Sequence, residues 1–356
     1  MLEQNLVNYI EKSLKQNWEL KAFSNFHSEM LTYAQVADRI IYLHKFFQSL
    51  NIEAGEKIAI IGKNCINWAI TYLATISYGA TIVPILPDFQ SSDVHHIVNH
   101  SESVLLFSEN GIYDDLDLSS MKNLKTVISL NNLEILDSSN QIKKIFEENA
   151  QSYLKEFGEK LVADNIKFSK ISNDKLAAIV YTSGTTGFSK GVMISHNALI
   201  SNIVYAQTNM PLVPKDTIVS FLPIAHVFGC TFEFLFPFCS GCHITFLDKV
   251  PSPQIIMKAF EEIKPRLILS VPLIIEKIYR KQIKPTLQKQ SVQYLRKIPI
   301  ISSIINKKIK AKLSAVFGDN FMEIVIGGAA LNEEVENFLG EIKFKYTVGY
   351  GMTECA

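Results

Sequence analysis

The chain has 356 residues, 47% of them hydrophobic and 20% charged, a composition typical of a globular protein with a large core. Its 35 basic residues balance 35 acidic ones, so no net field attracts nucleic acid, which is not an expected partner. No basic segment followed by an apolar core begins the chain, which predicts a cytoplasmic protein. Residues 221–247 are very apolar, but His226, Glu233 and Pro237 interrupt them, which predicts buried elements rather than a membrane span.

Short runs of β-branched residues alternate with helical segments along the chain. Continuous apolar runs are typical of parallel strands covered on both faces, and their alternation with helices predicts an α/β fold. The predicted strands cover residues 57–61, 81–85, 104–107, 126–130, 177–182, 217–222, 266–271 and 323–326. The clearest predicted helices cover residues 34–50, 66–78 and 254–262.

Residues 181–191 combine glycines and hydroxyl side chains with a single lysine, Lys190. Glycine lets backbone amides approach an anion closely, and successive amides form a concave nest for phosphate oxygens. We interpret the segment as a phosphate-binding loop, because a flexible linker would not usually separate a buried strand from a helix capped at Ser195. The loop is not the G-x-x-x-x-G-K-S/T loop of common nucleotide triphosphatases, because Ser189 occupies the second glycine position and Gly191 follows the lysine.

Four segments, in chain order, resemble motifs of the adenylate-forming superfamily, which includes acyl-CoA synthetases, luciferases and peptide-synthetase adenylation domains. The first is the loop at residues 181–191. Residues 222–229 read L-P-I-A-H-V-F-G and are similar to the aromatic/histidine motif of that superfamily, and residues 327–331 read G-G-A-A-L and are similar to its adenine-contacting turn. Residues 349–354 read G-Y-G-M-T-E and are similar to its Y-G-x-T-E motif. The resemblance covers essentially the whole chain and is greatest to medium- or long-chain fatty acyl-CoA synthetases.

The resemblance implies the large N-terminal domain of this superfamily, an α/β fold with two mostly parallel sheets and helices packed on both faces. It implies two approximate subdomains, one of residues 61–210 and one formed by residues 1–60 together with 211–356. The ribose-binding motif, the hinge and the small C-terminal domain with its catalytic lysine would follow Glu354, but the chain stops at Ala356. We therefore expect residues 1–356 to be a truncated AMP-binding domain that lacks the C-terminal domain and is impaired when alone.

The resemblance also implies a reaction, in which a fatty acid and ATP give an acyl-adenylate that coenzyme A then converts to a thioester. The residues expected to bind ATP or AMP are Thr182, Ser183, Gly184, Thr185, Thr186, Gly187, Lys190, Gly328, Ala329, Tyr350 and Gly351. The expected catalytic residues are His226 beside the acyl carboxylate, Thr353 at the α-phosphate, and Glu354. Glu354 and Thr185 would hold Mg²⁺, a hard cation that prefers oxygen ligands. The usual proline before the loop lysine is replaced by Ser189.

Other functions stay open. A fatty acyl-AMP ligase or an acyl-carrier-protein ligase shares all of these motifs, and the isolated chain could be a nucleotide-binding module without turnover. An amino-acid-activating domain is less favoured, because it usually places an aspartate in the histidine motif and residues 222–229 contain no acid.

Two histidine patterns have competing interpretations. Cys239, Cys242 and His243 match the C-x-x-C-H pattern of covalent haem attachment, but a turn that enters a strand at residues 243–247 is favoured. His96 and His100 lie four residues apart and could bind a metal, but a solvated helix end is the favoured interpretation.

Residues 280–312 contain ten lysines and arginines and no acidic residue. The favoured interpretation is a solvated helical face. The alternative is weak peripheral association with an anionic membrane at its inner face, or attraction to the phosphates of coenzyme A, because a basic amphipathic stretch suits either. The apolar residues that would contribute are Leu295, Ile298, Ile300, Ile301, Ile304 and Ile305.

Overall fold

The computed structural model describes residues 3–158, 161–182, 189–247 and 252–356. The strands of this part are β1 (Lys21–Asn25), β2 (Met30–Thr32), β3 (Lys57–Ile61), β4 (Thr81–Ile85), β5 (Ser103–Ser108), β6 (Thr126–Ser129), β7 (Ile135–Ser138), β8 (Leu176–Thr182), β9 (Lys190–Ser195), β10 (Thr217–Ser220), β11 (His243–Phe246), β12 (Leu267–Ser270), β13 (Glu323–Ile326) and β14 (Tyr346–Val348).

The α-helices of the same part are α1 (Leu6–Gln16), α2 (Tyr33–Ser49), α3 (Ile66–Tyr78), α4 (Ser91–His100), α5 (Asn110–Tyr113), α6 (Asn140–Phe157), α7 (His196–Asn209), α8 (Val227–Gly229), α9 (Phe236–Cys239), α10 (Pro253–Ile263), α11 (Pro272–Ile278), α12 (Lys284–Leu287), α13 (Gln290–Arg296), α14 (Pro299–Val316) and α15 (Glu333–Glu341). A π-helical segment, Cys230–Leu235, joins α8 to α9, and a second one, Tyr279–Ile283, joins α11 to α12.

The largest sheet has seven strands in the order β7-β6-β5-β3-β4-β8-β9. Its inner strands pair in parallel, and only the outermost pairs, β6 with β7 and β8 with β9, are antiparallel. Every residue of β4 and nearly every residue of β3 is buried, as expected for continuous apolar strands covered on both faces. The α/β fold predicted from the sequence is therefore confirmed.

Two smaller sheets, β10-β11-β1-β2 and β12-β13-β14, contain the remaining strands and are parallel except for the β1–β2 pair. When a sheet is defined as a set of hydrogen-bonded strands, the described residues form three sheets, whereas the sequence predicted two. The two smaller sheets meet edge to edge, since the amide of Arg266 beside β12 donates to the carbonyl of Thr217 in β10 at 2.8 Å. The subdomain division at residues 61 and 210 stays a prediction.

Local capping chemistry fixes where several helices begin. Ser195 is the N-cap of α7, as predicted, and its hydroxyl accepts a hydrogen bond from the amide of Ala198 at 3.2 Å. Thr32 and Gln35 form a reciprocal capping box at the start of α2. Helix α3 is buried along nearly its whole length. Within the part of the chain that the structure describes, no helix is both long and apolar enough to cross a membrane.

The C-x-x-C-H run is a turn followed by strand β11, as its favoured interpretation stated. The Nε2 of His243 lies 2.7 Å from the hydroxyl of Ser24 on β1, and burial lowers the pKa of His243 to about 4. The hydroxyl of Tyr33 donates to the carbonyls of Phe238 and Cys242 at 3.0 and 2.9 Å. The backbone of the turn is therefore bound to the N-terminal part of the chain.

Two of the histidines of α4, His95 and His100, have partners in neighbouring elements. His95 Nε2 accepts from the amide of Asp117 at 3.0 Å, and His100 Nδ1 lies 2.7 Å from the hydroxyl of Tyr181. Burial raises the pKa of Tyr181 to about 12, so it stays a neutral phenol at pH 7. No group of three or more His, Cys, Asp or Glu side chains in the described ranges is arranged to hold a metal ion.

Candidate functional site

Three parallel strands, β12, β13 and β14, end at one edge of their sheet, and glycine turns follow two of them. The amide of Gly327 donates to Ser270 at the end of β12 at 3.0 Å, and the amide of Gly349 donates to Ile326 at the end of β13 at 2.8 Å. The predicted adenine turn and the predicted Y-G-x-T-E motif are therefore neighbours. The crevice outside the carboxyl ends of the strands is where open α/β sheets usually bind ligands.

The first glycine turn packs against the histidine motif. A Cβ atom at Gly327 would lie 2.9 Å from the ring of Phe228, so a side chain at this position would displace that ring. Gly328 has a φ of +86°, in the left-handed region that favours glycine. Phe228 is two residues from His226, so the structure brings the histidine motif and the glycine turn together.

Residues 221–229, which we call the histidine loop, are bound by two buried polar side chains from other elements. Asn64, which follows β3, donates to the carbonyl of Leu222 at 2.7 Å and accepts from the amide of Ile224 at 3.1 Å. Glu233 in the π-helical segment accepts from the amides of Phe221 and Leu222 at 2.9 and 3.0 Å. Burial raises the pKa of Glu233 well above its usual value, which favours the protonated form of the carboxyl.

His226 itself is exposed at the start of α8. Its Nδ1 accepts a hydrogen bond from the amide of Phe228 at 3.3 Å, which places the proton of the neutral ring on Nε2. Partial desolvation by the surrounding chain lowers the pKa of His226, so the ring is neutral at pH 7. A Cβ atom at Gly229 would lie 2.6 Å from the carbonyl oxygen of Pro223, so a glycine is required for the loop to close. Nε2 is thus available as a neutral hydrogen-bond donor.

The predicted phosphate-binding loop connects β8 to β9. Thr182 and Lys190 face each other as the last register pair of this antiparallel hairpin, and Lys190 is exposed. The other predicted loop residues, Ser183, Gly184, Thr185, Thr186 and Gly187, lie outside the described residues. The described hairpin therefore fixes only the two ends of the loop.

The Y-G-x-T-E segment lies beside that hairpin. Its turn, Thr353–Cys355, packs against β9, the strand that begins at Lys190. Asn202 on α7 donates to the carbonyls of Cys355 and Ala356 at 2.8 and 2.7 Å. The structure therefore brings the two predicted nucleotide-binding segments together. The remaining predicted residues of this region, Ala329, Tyr350, Gly351 and Glu354, are exposed, and Tyr350 is 94% exposed.

Three positioning residues escaped the sequence-based prediction. Asn64 and Glu233 bind the histidine loop, and Asn202 binds the C-terminal turn. Only Glu233 left a signal, as the single acid in the apolar run at residues 221–247. The two asparagines bond to segments more than 150 positions away, so local sequence carries no sign of their role.

A narrow apolar cavity lies behind the same edge, between the β12–β14 sheet and helices α11, α14 and α15. Its lining includes Ile278, Phe317, Ile326 and Phe338. Its volume of about 10 Å³ is room for about one water molecule, so it is a small gap in the packing of the core rather than a channel for an acyl chain.

Comparisons with known proteins agree with this arrangement. A sequence model described as AMP-binding enzyme matches residues 10–356. Long chain acyl-CoA synthetase 5 of Arabidopsis thaliana is 27% identical over 355 residues, which cover 91% of this chain and 52% of that protein. The long-chain-fatty-acid–CoA ligase heimdall of Drosophila melanogaster is 24% identical over 373 residues, with 95% and 54% coverage. The chain spans about half the length of the curated relatives it matches.

Solved structures share the fold. The inhibitor-bound N-terminal domain of FACL13 from Mycobacterium tuberculosis superposes with a TM-score of 0.72 at 18% identity, covering 99% of this chain and 77% of that one. ATP-bound MatB from Rhodopseudomonas palustris gives the same TM-score and identity, covering 99% of this chain and 60% of that one. At these identities the likeness shows the fold alone, and it confirms the predicted N-terminal domain architecture.

Proposed function

Because the chain belongs to the AMP-binding enzyme family, a family of AMP-forming acid–thiol ligases, we propose that it activates a fatty acid with ATP, giving an acyl-adenylate and then an acyl-CoA thioester. The observation that carries this proposal is the contact of the histidine loop with the glycine turn that begins at Gly327, at the carboxyl ends of parallel strands. The long-chain acyl-CoA synthetases among its relatives support the same substrate class.

In this proposal the two anionic reactants are held together while their charge is neutralised. Lys190 and the loop hydroxyls bind the β- and γ-phosphates. The Nε2–H group of His226 donates a hydrogen bond to the acyl carboxylate. Tyr350 stacks on the adenine, whose edge is lined by the backbone of Gly328 and Ala329.

The α-phosphate and the metal would be bound by the C-terminal turn. Thr353 would donate its hydroxyl to the α-phosphate. Mg²⁺ would be held by Glu354 and Thr185 and would supply positive charge against the phosphates. The exposed carboxylate of Glu354 suits this hard cation, and it forms no ion pair with another described residue.

A fatty acid fits the site better than an amino acid does. The histidine loop contains no acid to pair with a substrate ammonium group. Glu233 is the nearest acid in sequence, but its carboxyl is fully buried and accepts hydrogen bonds from two loop amides. The relatives that are long-chain acyl-CoA synthetases support medium- or long-chain substrates, which we propose.

The proposal also covers the acceptor of the acyl group and the division of the chain into two subdomains. Coenzyme A is the proposed acceptor, and a carrier protein or release of free acyl-adenylate is the alternative. Residues 61–210 would form one subdomain, with residues 1–60 and 211–356 forming the other.

Binding and turnover assays on the chain test the proposal. We expect a non-hydrolysable palmitoyl-adenylate analogue to bind at least about tenfold more tightly than its leucyl counterpart, because each buried methylene contributes about 0.8 kcal/mol. Pyrophosphate release with palmitate and ATP, followed by a comparison of coenzyme A with a phosphopantetheinylated carrier protein, distinguishes the acceptors. Binding without pyrophosphate release even when a C-terminal domain is supplied would favour a nucleotide-binding module, and preference for the leucyl analogue would contradict the fatty-acid assignment.

A further inference from the structure

Helices α13 and α14, with the residues that connect them, expose a surface that we call the α13–α14 face. Tyr294, Leu295 and Ile298 are 69%, 42% and 48% exposed, and Ile300 and Ile304 are 76% and 50% exposed. Single exposed apolar side chains are common, but contiguous exposed apolar patches mark interaction surfaces. Five large apolar side chains within residues 294–304 therefore indicate a binding surface.

The orientation of α14 explains this exposure. Residues four positions apart lie on the same side of a helix, and Ile300, Ile304, Lys308 and Lys312 form such an exposed stripe. Ile309, on another side of the helix, is buried in the core. One side of α14 therefore packs against the domain, and the exposed stripe faces solvent. The stripe is apolar in its N-terminal half and basic in its C-terminal half.

Only part of the basic charge on residues 280–312 is neutralised within the chain. Among the described residues, three ion pairs involve this stretch: Arg280 with Glu276 at 3.5 Å, Lys284 with Glu334 at 2.9 Å, and Arg296 with Glu341 at 2.5 Å. Lys310 donates to the backbone carbonyl of Lys343 at 2.5 Å, a contact that leaves its charge unpaired. Seven lysines therefore form no ion pair with any residue that the structure describes: Lys281, Lys289, Lys297, Lys307, Lys308, Lys310 and Lys312. Of these, Lys297 lies 5.3 Å from the ring centre of Tyr294.

We propose that the α13–α14 face binds the surface of an anionic lipid bilayer. Exposed lysines attract anionic headgroups, and adjacent apolar side chains enter the boundary between headgroups and acyl chains. A free phosphate or a nucleic acid would use the lysines but gain nothing from Ile300 and Ile304. The chain has no net charge, so the attraction is local to this face, reversible and weakened by salt.

This surface is independent of the proposed ATP chemistry. None of its residues belongs to the histidine loop, the phosphate-binding hairpin or the C-terminal turn. Membrane binding can therefore be absent while the ligase activity is present, and the reverse holds as well.

Vesicle cosedimentation of the chain tests the proposal. We expect pelleting with vesicles that contain phosphatidylserine, at least tenfold less pelleting with pure phosphatidylcholine, and loss at about 1 M salt, where the screening length falls to about 3 Å. Lys307→Glu with Lys308→Glu should lower binding at least tenfold. The matched control is Lys143→Glu with Lys144→Glu on α6, an equal change of charge at two exposed positions, and it should bind like the wild type.

A second pair of variants separates a bilayer from a soluble anion. Ile300→Ser with Ile304→Ser should reduce vesicle binding severalfold at low salt while leaving all lysines in place, and Leu154→Ser, at a 62% exposed position on α6, is its control. Circular dichroism confirms that each variant is folded. No pelleting at low salt, pelleting indifferent to salt, equal loss in the control variants, or unchanged binding of the isoleucine variant would each overturn the proposal. Full competition by inorganic phosphate at matched ionic strength would instead assign the lysines to a soluble anion.

Discussion

The histidine loop and the nucleotide side of the proposed site differ in exposure. Buried side chains bind the backbone of the histidine loop. The residues on the nucleotide side, which we call the open edge, are exposed to solvent: Lys190, Gly328, Tyr350 and Glu354. Asn64 and Glu233 together make four hydrogen bonds to the backbone of Phe221, Leu222 and Ile224. Tyr350 is 94% exposed. The acyl side of the proposed site is thus fixed by the fold, and the nucleotide side presents side chains that are free to contact a ligand. Mutations in the two regions should therefore have different effects.

The largest expected effect is on catalysis, at the open edge. Lys190→Ala should slow acyl-adenylate formation about 100- to 1,000-fold, the usual cost of removing one group that stabilises transition-state charge. Thioester formation from preformed acyl-adenylate should change much less, because pyrophosphate is present only in the first step. The melting temperature should not change, since Lys190 is exposed. Assays of both half-reactions, with Lys143→Ala as the control, check this, and equal losses in both would assign the loop a structural role.

The next effect is on stability, in the histidine loop. Glu233→Leu should lower the free energy of unfolding by about 2–4 kcal/mol, because it leaves the buried amides of Phe221 and Leu222 without an acceptor. Glu233→Gln keeps a carbonyl acceptor at the same place and should cost less. Urea unfolding measures both variants, and an unchanged midpoint for the leucine variant would show that the loop does not depend on this side chain.

The same pair gives a pH dependence whose sign follows from the raised pKa of Glu233. A carboxyl whose pKa is higher in the folded state binds its proton more tightly when folded, so its contribution to stability is complete below the unfolded pKa of about 4.3 and declines as pH rises towards the folded pKa. Glutamine does not titrate. The stability of Glu233→Gln relative to wild type should therefore rise between pH 5 and pH 8, and a flat difference over about this range would contradict a neutral buried acid.

A smaller effect is expected for Tyr350, again at the open edge. Tyr350→Ala should weaken ATP binding by about 1–3 kcal/mol, the usual range for a base stacked on an aromatic ring, and should leave unfolding unchanged. Tyr33→Phe provides the contrast, because it removes a hydroxyl that bonds to Phe238 and Cys242 and should lower stability by about 1 kcal/mol without affecting ATP binding. Calorimetric titration and urea unfolding of both variants test whether binding and stability separate in this way.

The smallest effect is expected at Cys239, at the end of α9. Cys239→Ala should change stability by about 1 kcal/mol or less, because the residue is only partly buried and replacement by alanine leaves the turn backbone intact. Purified protein should show no Soret absorbance from covalent haem. Such a band would replace the structural interpretation of the C-x-x-C-H run by a cofactor site.

The sequence predicted elements far better than it predicted their pairing. The apolar runs at residues 57–61, 81–85 and 323–326 coincide with β3, β4 and β13. Strands β3 and β4 are buried on both faces, which leaves a continuous apolar signal in the sequence. The short strands β2 and β14 were not among the predictions, since three residues are too few to show a period. The parallel pairing of Phe23 with Ile244 joins distant parts of the chain and leaves no local pattern.

By itself, the sequence determined what depends on a few neighbouring residues. The cap at Ser195, the glycine turn at Gly328 and the order of the family motifs belong to this class, because backbone conformation and capping are decided within one or two turns of chain. Only the tertiary structure decided that Glu233 is buried with a raised pKa and that Asn64 binds a loop 158 positions away. Desolvation and long-range hydrogen bonds depend on which distant segments pack together. The hydrophobic pattern of a segment indicates that it is buried, but not which other segment it packs against.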